Sequence, residues 1–173
     1  YHTYGSGKDN IGGHIDVLSM NNNQLSVDAS KAADNCDYNH LIVDNNSLYL
    51  AGSGTKSASA FLGKVDINGG KLGEEVKLYA IDKKTKMDAN CVAAAFNGEH
   101  VVATTQGFTS FAKDFSFWNK LGEEGKHVVT ALGNLYTLDV KGNVNVYNNN
   151  DLENTVASYN VGEVYPKDNK AVM

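Results

Sequence analysis

The feature that most constrains this chain is an internal repeat. Asp37, Tyr38, Asn39 and His40 lead into LIVDNNSLYLAGSG, and Asp88, Ala89, Asn90 and Cys91 lead into VAAAFNGEHVVATTQG. Each copy is an Asp-x-Asn-x entry, an apolar strand, a short polar turn and a second strand. The frame recurs from Glu124 as EGKHVVTALGNLYTLDVKG, with His127 in the register of His40 and Cys91, and it restarts at Asp168 and Asn169 in DNKAVM. The other half of the unit repeats as well: Lys64, Val65, Asp66 and Ile67 align with His14, Ile15, Asp16 and Val17, and a third copy reads GNVNVYNNNDLENTVASYNVGE. Alternation at Val65 and Ile67, and at Val144 and Val146, is the period of a strand with one buried face. A fourth, outer strand is expected near residues 75–81 and again near 154–161.

Four short antiparallel strands per unit, A to D from the inside outward, make a β-propeller the expected fold. The A strands are predicted to begin near residues 40, 91, 127 and 171, at spacings of 51, 36 and 44 residues. Those spacings average within the range of about 40–50 typical of propeller repeats. A β-sandwich also has closely spaced strands, but nothing in it requires one sequence frame to recur four times. The predicted divisions are 1–36 (the outer strands of a preceding blade), three blades at 37–87, 88–123 and 124–167, and the first strand of a following blade at 168–173. By phase the chain starts late in a B strand and stops inside an A strand. The expectation is therefore an all-β propeller fragment from a ring of six to eight blades, whose remaining blades are its first partner.

The entries Asp37–Leu50 and Asp88–Thr104 resemble the repeats of secreted bacterial propellers of the LVIVD type, and more broadly kelch-like and NHL-like blades. In those repeats an Asn and a small residue precede an apolar triplet, a short turn, Tyr-Val-Ala and a Gly-rich link. NHLIVDNNSLYLAGSG and NCVAAAFNGEHVVATTQG are similar to that pattern. The resemblance implies the fold and, by analogy, an exported bacterial protein, secreted, periplasmic or at the cell surface. It implies no function. The Trp-Asp dipeptide, the kelch double glycine before Tyr and the Asp-box of sialidases do not occur in the chain.

Composition narrows the partners. All 15 basic residues are Lys, against 20 acidic ones, for a net charge of -5. Without Arg there is no bidentate fork for phosphate or guanine, and the field repels polyanions, so nucleic acid is not an expected partner. No apolar run approaches the ~20 residues of a membrane helix. No signal peptide is present, but the chain opens at Tyr1 rather than Met, so that absence says nothing about export. Cys36 and Cys91 are too few for a disulfide framework and read as small buried hydrophobes, with a bridge between them left open.

Candidate site residues fall into two groups. Propeller ligands usually sit at a mouth of the central channel, so Asp37, Asn39, His40, Asp88, Asn90 and His127, with Asp168 and Asn169, are expected to cluster there. Their oxygens could meet sugar hydroxyls. The competing reading is that residues recurring in every blade cap its turns. The two imidazoles of His40 and His127 belong to non-adjacent blades, so no metal is expected, and no cofactor. The second group is Gly107 to Gly125, which concentrates Phe108, Phe111, Phe115, Phe117 and the single Trp118. Exposed rings there would stack on sugars or anchor a protein; the alternative is that they pack inside and between blades. His2, His14 and His100 have no partner that the sequence names.

The catalytic inventory is thin: no nucleophile elbow, H-E-x-x-H, P-loop or paired carboxylates. The expected function is a non-enzymatic binding or scaffold propeller that presents loops to a protein or glycan. The alternative is a propeller hydrolase or lyase acting on glycans or lactones, with a site completed by other blades.

Overall fold

The Asn and Gly clusters fold as hairpin turns. Asn22 and Asn23 take φ of 51° and 61°, and Gly69 and Gly70 take 56° and 78°. A two-residue type I′ turn requires this left-handed pair, because its twist matches that of the flanking strands. The computed structural model describes residues 14–32, 36–54, 60–80, 85–87, 94–122 and 125–161, and these hold fourteen β-strands. The chain divides into two units, residues 1–89 and residues 90–173.

In the first unit, β1 (His14–Asn21) and β2 (Gln24–Ala32) form an antiparallel hairpin. Next comes a four-stranded antiparallel sheet in the order β3 (Cys36–Asp44), β4 (Ser47–Gly54), β5 (Ala60–Asn68) and β6 (Lys71–Leu78). Ile15 of β1 is buried with Cys36, Tyr38, Leu48, Leu50, Phe61 and Val65, so the hairpin lies on one face of that sheet. Burial of a ring such as Phe61 contributes about 2–3 kcal/mol. The ring lies so close over β4 that a Cβ at Gly52 would fall 2.5 Å from its Cζ, which leaves no room for a side chain there. In β4, Leu48, Tyr49, Leu50 and Ala51 are all buried. Both faces of the strand are covered, which is why it reads as a continuous apolar run rather than an alternation.

The second unit holds two such sheets. One has the order β7 (Ala94–Phe96), β8 (His100–Ala103), β9 (Phe108–Ala112) and β10 (Phe117–Gly122). The other has β11 (Gly125–Ala131), β12 (Asn134–Asp139), β13 (Asn143–Asn148) and β14 (Asp151–Asn160). They pack face to face around Ala95, Val102 and Phe108 from one and Val128, Leu135 and Tyr147 from the other.

Three sequence expectations shift. The first strand of the 36–78 sheet begins at Cys36, not near residue 40, so Asp37, Asn39 and His40 lie inside a strand rather than in an entry loop. The outer strands begin earlier than expected, at Lys71 and Asp151, because two-residue turns return the chain at once. The segment 107–125, which looked irregular, supplies β9 and β10. Asp88, Asn90, Cys91, Asp168, Asn169 and His2 lie outside the described residues, as do the side chains of Phe117 and Trp118.

Candidate partner-binding groove

In a four-stranded meander the first and third turns share one end of the sheet. In the second unit, Asn97 joins these turns across the two sheets. Its Oδ1 accepts from the backbone N–H of Glu99 (3.0 Å) and His100 (2.7 Å), closing the β7–β8 turn. Its Nδ2 donates to the carbonyl of Asn149, in the β13–β14 turn of the neighbouring sheet, at 3.0 Å. The Asn149 N–H donates in turn to the Gly133 carbonyl in the β11–β12 turn, and the Asn150 N–H to Asn148 Oδ1. Deeper in, the Tyr147 hydroxyl donates to the Leu121 carbonyl at 3.2 Å. Asn97 and Asn149 together thus set three turns in a fixed relation.

The β7–β8 and β13–β14 turns border an open groove of about 540 Å³. Its apolar surface comes from Ala112, Leu121 and Leu152, and its polar surface from Ser110, Asn119, Asn149 and Asn150. Its titratable groups are Glu99, His100, Asp151 and Glu153. Asp151 accepts from the backbone N–H groups of Glu153 and Asn154 and from the Asn154 amide. The Asn154 side-chain bond, followed by the Glu153 backbone bond, holds its carboxyl below the usual carboxylate range. Two buried polar atoms on the groove have no hydrogen-bond partner: His100 Nδ1 and Asn149 Oδ1. The described lining contains no lysine and no aromatic ring. Chemically the lining mixes carboxylates with amide and hydroxyl groups that can both donate and accept.

The first unit treats its polar groups differently. Lys77 Nζ donates to Cys36 Sγ at 3.1 Å, stands 3.5 Å from Glu75 Oε2 and lies 4.9 Å over the Phe61 ring. The Tyr38 hydroxyl donates to Glu75 Oε2 at 2.8 Å. Burial pushes the Cys36 thiol up, against the lowering effect of Lys77. The Lys77 ammonium is also raised: burial lowers it, but the bond to Cys36 and the charge of Glu75 outweigh that. Among the described residues, no group of three His, Cys, Asp or Glu side chains is placed to hold a metal.

Among the described residues, none of Asp37, Asn39, His40, His127, Phe108 and Phe111 lines the groove. Tyr38 pairs with Gly52 and His40 with Ala51, which leaves Asn39 as the extra residue of a bulge. In β11, Gly125 pairs with Asp139 and His127 with Leu138, which leaves Lys126 as the extra residue. His40 and His127 therefore each follow a bulge in the first strand of a sheet, one in each unit. Phe108 and Phe111 are buried at 2% and 0% exposure, so their rings belong to the interior and offer no exposed platform. Phe115 is buried in the β9–β10 turn, at φ 63°. The groove was missed because its walls lie some fifty residues apart; the runs at 97–99 and 148–150 read only as turns.

No protein-family model matches the chain, and no curated protein matches it. Among solved structures it is similar to a β-propeller chain of the nidogen/laminin complex, at 17% identity and a TM-score of 0.54, over 83% of this chain and 57% of that one. The sheets are propeller blades. Glutaminyl cyclase from Myxococcus xanthus is similar at 13% identity and a TM-score of 0.52, over 93% of this chain and 68% of that one. The Dos1 propeller matches at 7% identity and a TM-score of 0.47, over 86% and 42%. The propeller chain thus spans 57% of the length of its nidogen/laminin neighbour.

Proposed function

We propose that this chain is part of an exported, non-enzymatic binding propeller that presents the 99–153 groove to a macromolecular partner. The observation that carries this reading is the preformed groove, whose walls come from two blades held in register by Asn97. Sites of this kind bind with little ordering cost because the turns that form them are already tied down. A further partner is a neighbouring blade of the same ring. The outward face of β1–β2 carries the cross-strand pairs Leu18 with Val27 and Met20 with Leu25, all four exposed. In a propeller, each blade covers such a face of the next.

The test is to print a peptide library and a glycan array and probe both with the chain and with its Asn119→Trp variant, which fills the groove from an exposed position. The reading expects at least one class of ligand to bind the chain and to be lost by the variant. Binding that the variant leaves unchanged would move the site elsewhere.

A further inference from the structure

We propose that Asn97–Gly98 is a conditional deamidation site. Its side-chain amide is protected while it ties the two sheets of the second unit together, and it converts when they part, after which the tie cannot re-form. This does not depend on what the groove binds. The chain has two Asn-Gly steps, Asn68–Gly69 and Asn97–Gly98, and both lie at hairpin turns. Glycine has no Cβ, so it leaves its own amide nitrogen unhindered. That nitrogen, having given its proton to solvent base, attacks the asparagine Cγ. The N–Cγ bond forms, the Cγ–Nδ2 bond breaks, and the amide leaves as ammonia with the proton returned to it. Water then opens the cyclic imide at one of its two carbonyls, leaving aspartate or isoaspartate. No oxidant or enzyme is needed.

The two steps differ in what the amide does. Asn68 is exposed at the end of β5, beside the turn glycines Gly69 and Gly70. Asn97 is half-buried and uses both amide atoms: Oδ1 accepts from the Glu99 and His100 N–H groups, and Nδ2 donates to the Asn149 carbonyl. These three bonds fix the amide plane, and attack on Cγ needs that plane to turn toward the Gly98 nitrogen. Gly98 itself is exposed, with nothing within 4 Å of where a Cβ would stand, so solvent base can reach it. Conversion falls on one bond above all. An aspartate at 97 still accepts from Glu99 and His100, but in place of Nδ2 it presents a carboxylate oxygen to the Asn149 carbonyl, two acceptors with no proton between them. The β7–β8 turn survives and the tie across the sheets is lost. Isoaspartate adds a methylene to the backbone and loses the turn as well.

The test follows both sites in the unsubstituted chain by peptide mass mapping during incubation in mildly alkaline buffer. In the folded chain Asn97 should convert about tenfold more slowly than Asn68, as expected when bonds of ordinary strength must open first, and in urea the two rates should become equal. Equal rates in the folded chain overturn the inference. Slower conversion of Asn97 that persists in urea reflects local sequence rather than the tie and overturns it too. Asn97→Asp, compared with Asn68→Asp, reads the consequence. Hydrogen exchange should rise at the Asn149 and Asn150 amides while the Glu99 and His100 amides stay protected, and Asn68→Asp should change neither. An unchanged 148–150 turn in Asn97→Asp overturns the claim that the tie is lost. The rate comparison needs no substitution, so it decides the matter even where Asn97→Asp fails to fold.

Discussion

In the first unit a polar cluster is tucked against one sheet, whereas in the second the polar groups stand where the turns of two sheets meet. Lys77, Glu75, Tyr38 and Cys36 are bonded to one another against the Phe61 ring. In the second unit the space between sheets is filled by apolar side chains and Tyr147, and the polar residues gather where the turns meet. The same four-strand repeat therefore supports two placements of its polar groups. The charged cluster ties the first strand of a sheet to its last, because separating them leaves a charge unpaired.

The strongest way to break this comparison is to remove one ring from each unit. Phe61→Ala and Phe108→Ala should each cost about 3–5 kcal/mol, measured by urea unfolding, through lost burial plus the cavity left behind. Hydrogen exchange should rise first at residues 36–78 in the former and at 94–160 in the latter. Equal loss of protection throughout the chain in both variants would show that the units are not energetically separate.

Lys77→Met tests the buried cluster itself. It leaves Glu75, whose side chain is 8% exposed, without its cation, and should cost about 2–3 kcal/mol, less than a fully buried pair because Lys77 is partly solvated. Adding Glu75→Leu should recover most of that loss. The cluster also sets a pH signature. Cys36 and Lys77 both hold their protons more tightly when folded, so the folded state binds more protons and loses stability as pH rises. The loss in the first unit should start near the ordinary thiol value of about 8.5. In the second unit the burial-raised Tyr147 delays it to above about 10. Hydrogen exchange at stepped alkaline pH separates the two onsets, and Cys36→Ser should erase the earlier one.

Smaller effects sharpen the account of the rim. Asn97→Ala removes two turn-closing bonds and the strap to Asn149, and should cost about 1–2 kcal/mol, with faster exchange at the Glu99 and His100 amides. Leu132, 95% exposed in the β11–β12 turn at φ 51°, is strained for a branched residue. Leu132→Asn should stabilise by about 0.5–1 kcal/mol, since Asn tolerates that conformation. A thermal melt would register the increase.

Much of the fold was legible in the chain because propeller blades repeat locally. Alternation at Val144 and Val146, the Asn21–Asn23 and Gly69–Gly70 turns and the recurring frame around His40 and His127 each depend on residues close in sequence. Strand ends were less legible. The bulges at Asn39 and Lys126 carry no local signal, and they place His40 inside a strand where the pattern suggested an entry loop. The aromatic segment was ambiguous for a related reason: a Phe in a strand reads the same whether its face meets solvent or another sheet. Only the packing at Phe108 and Phe111 decides it.

The groove was not legible at all. Asn97 and Asn149 are separated by 52 residues, and nothing in either turn names the other. The Cys36 to Lys77 contact, at a separation of 41, is hidden in the same way. The recurring strands and turns follow from short-range backbone preference and hydrophobic alternation, which the order of residues states directly. Which side chains meet at long separation depends on how a finished sheet twists and how blades pack, so the groove and the Cys36–Lys77 cluster were decided only by the tertiary structure.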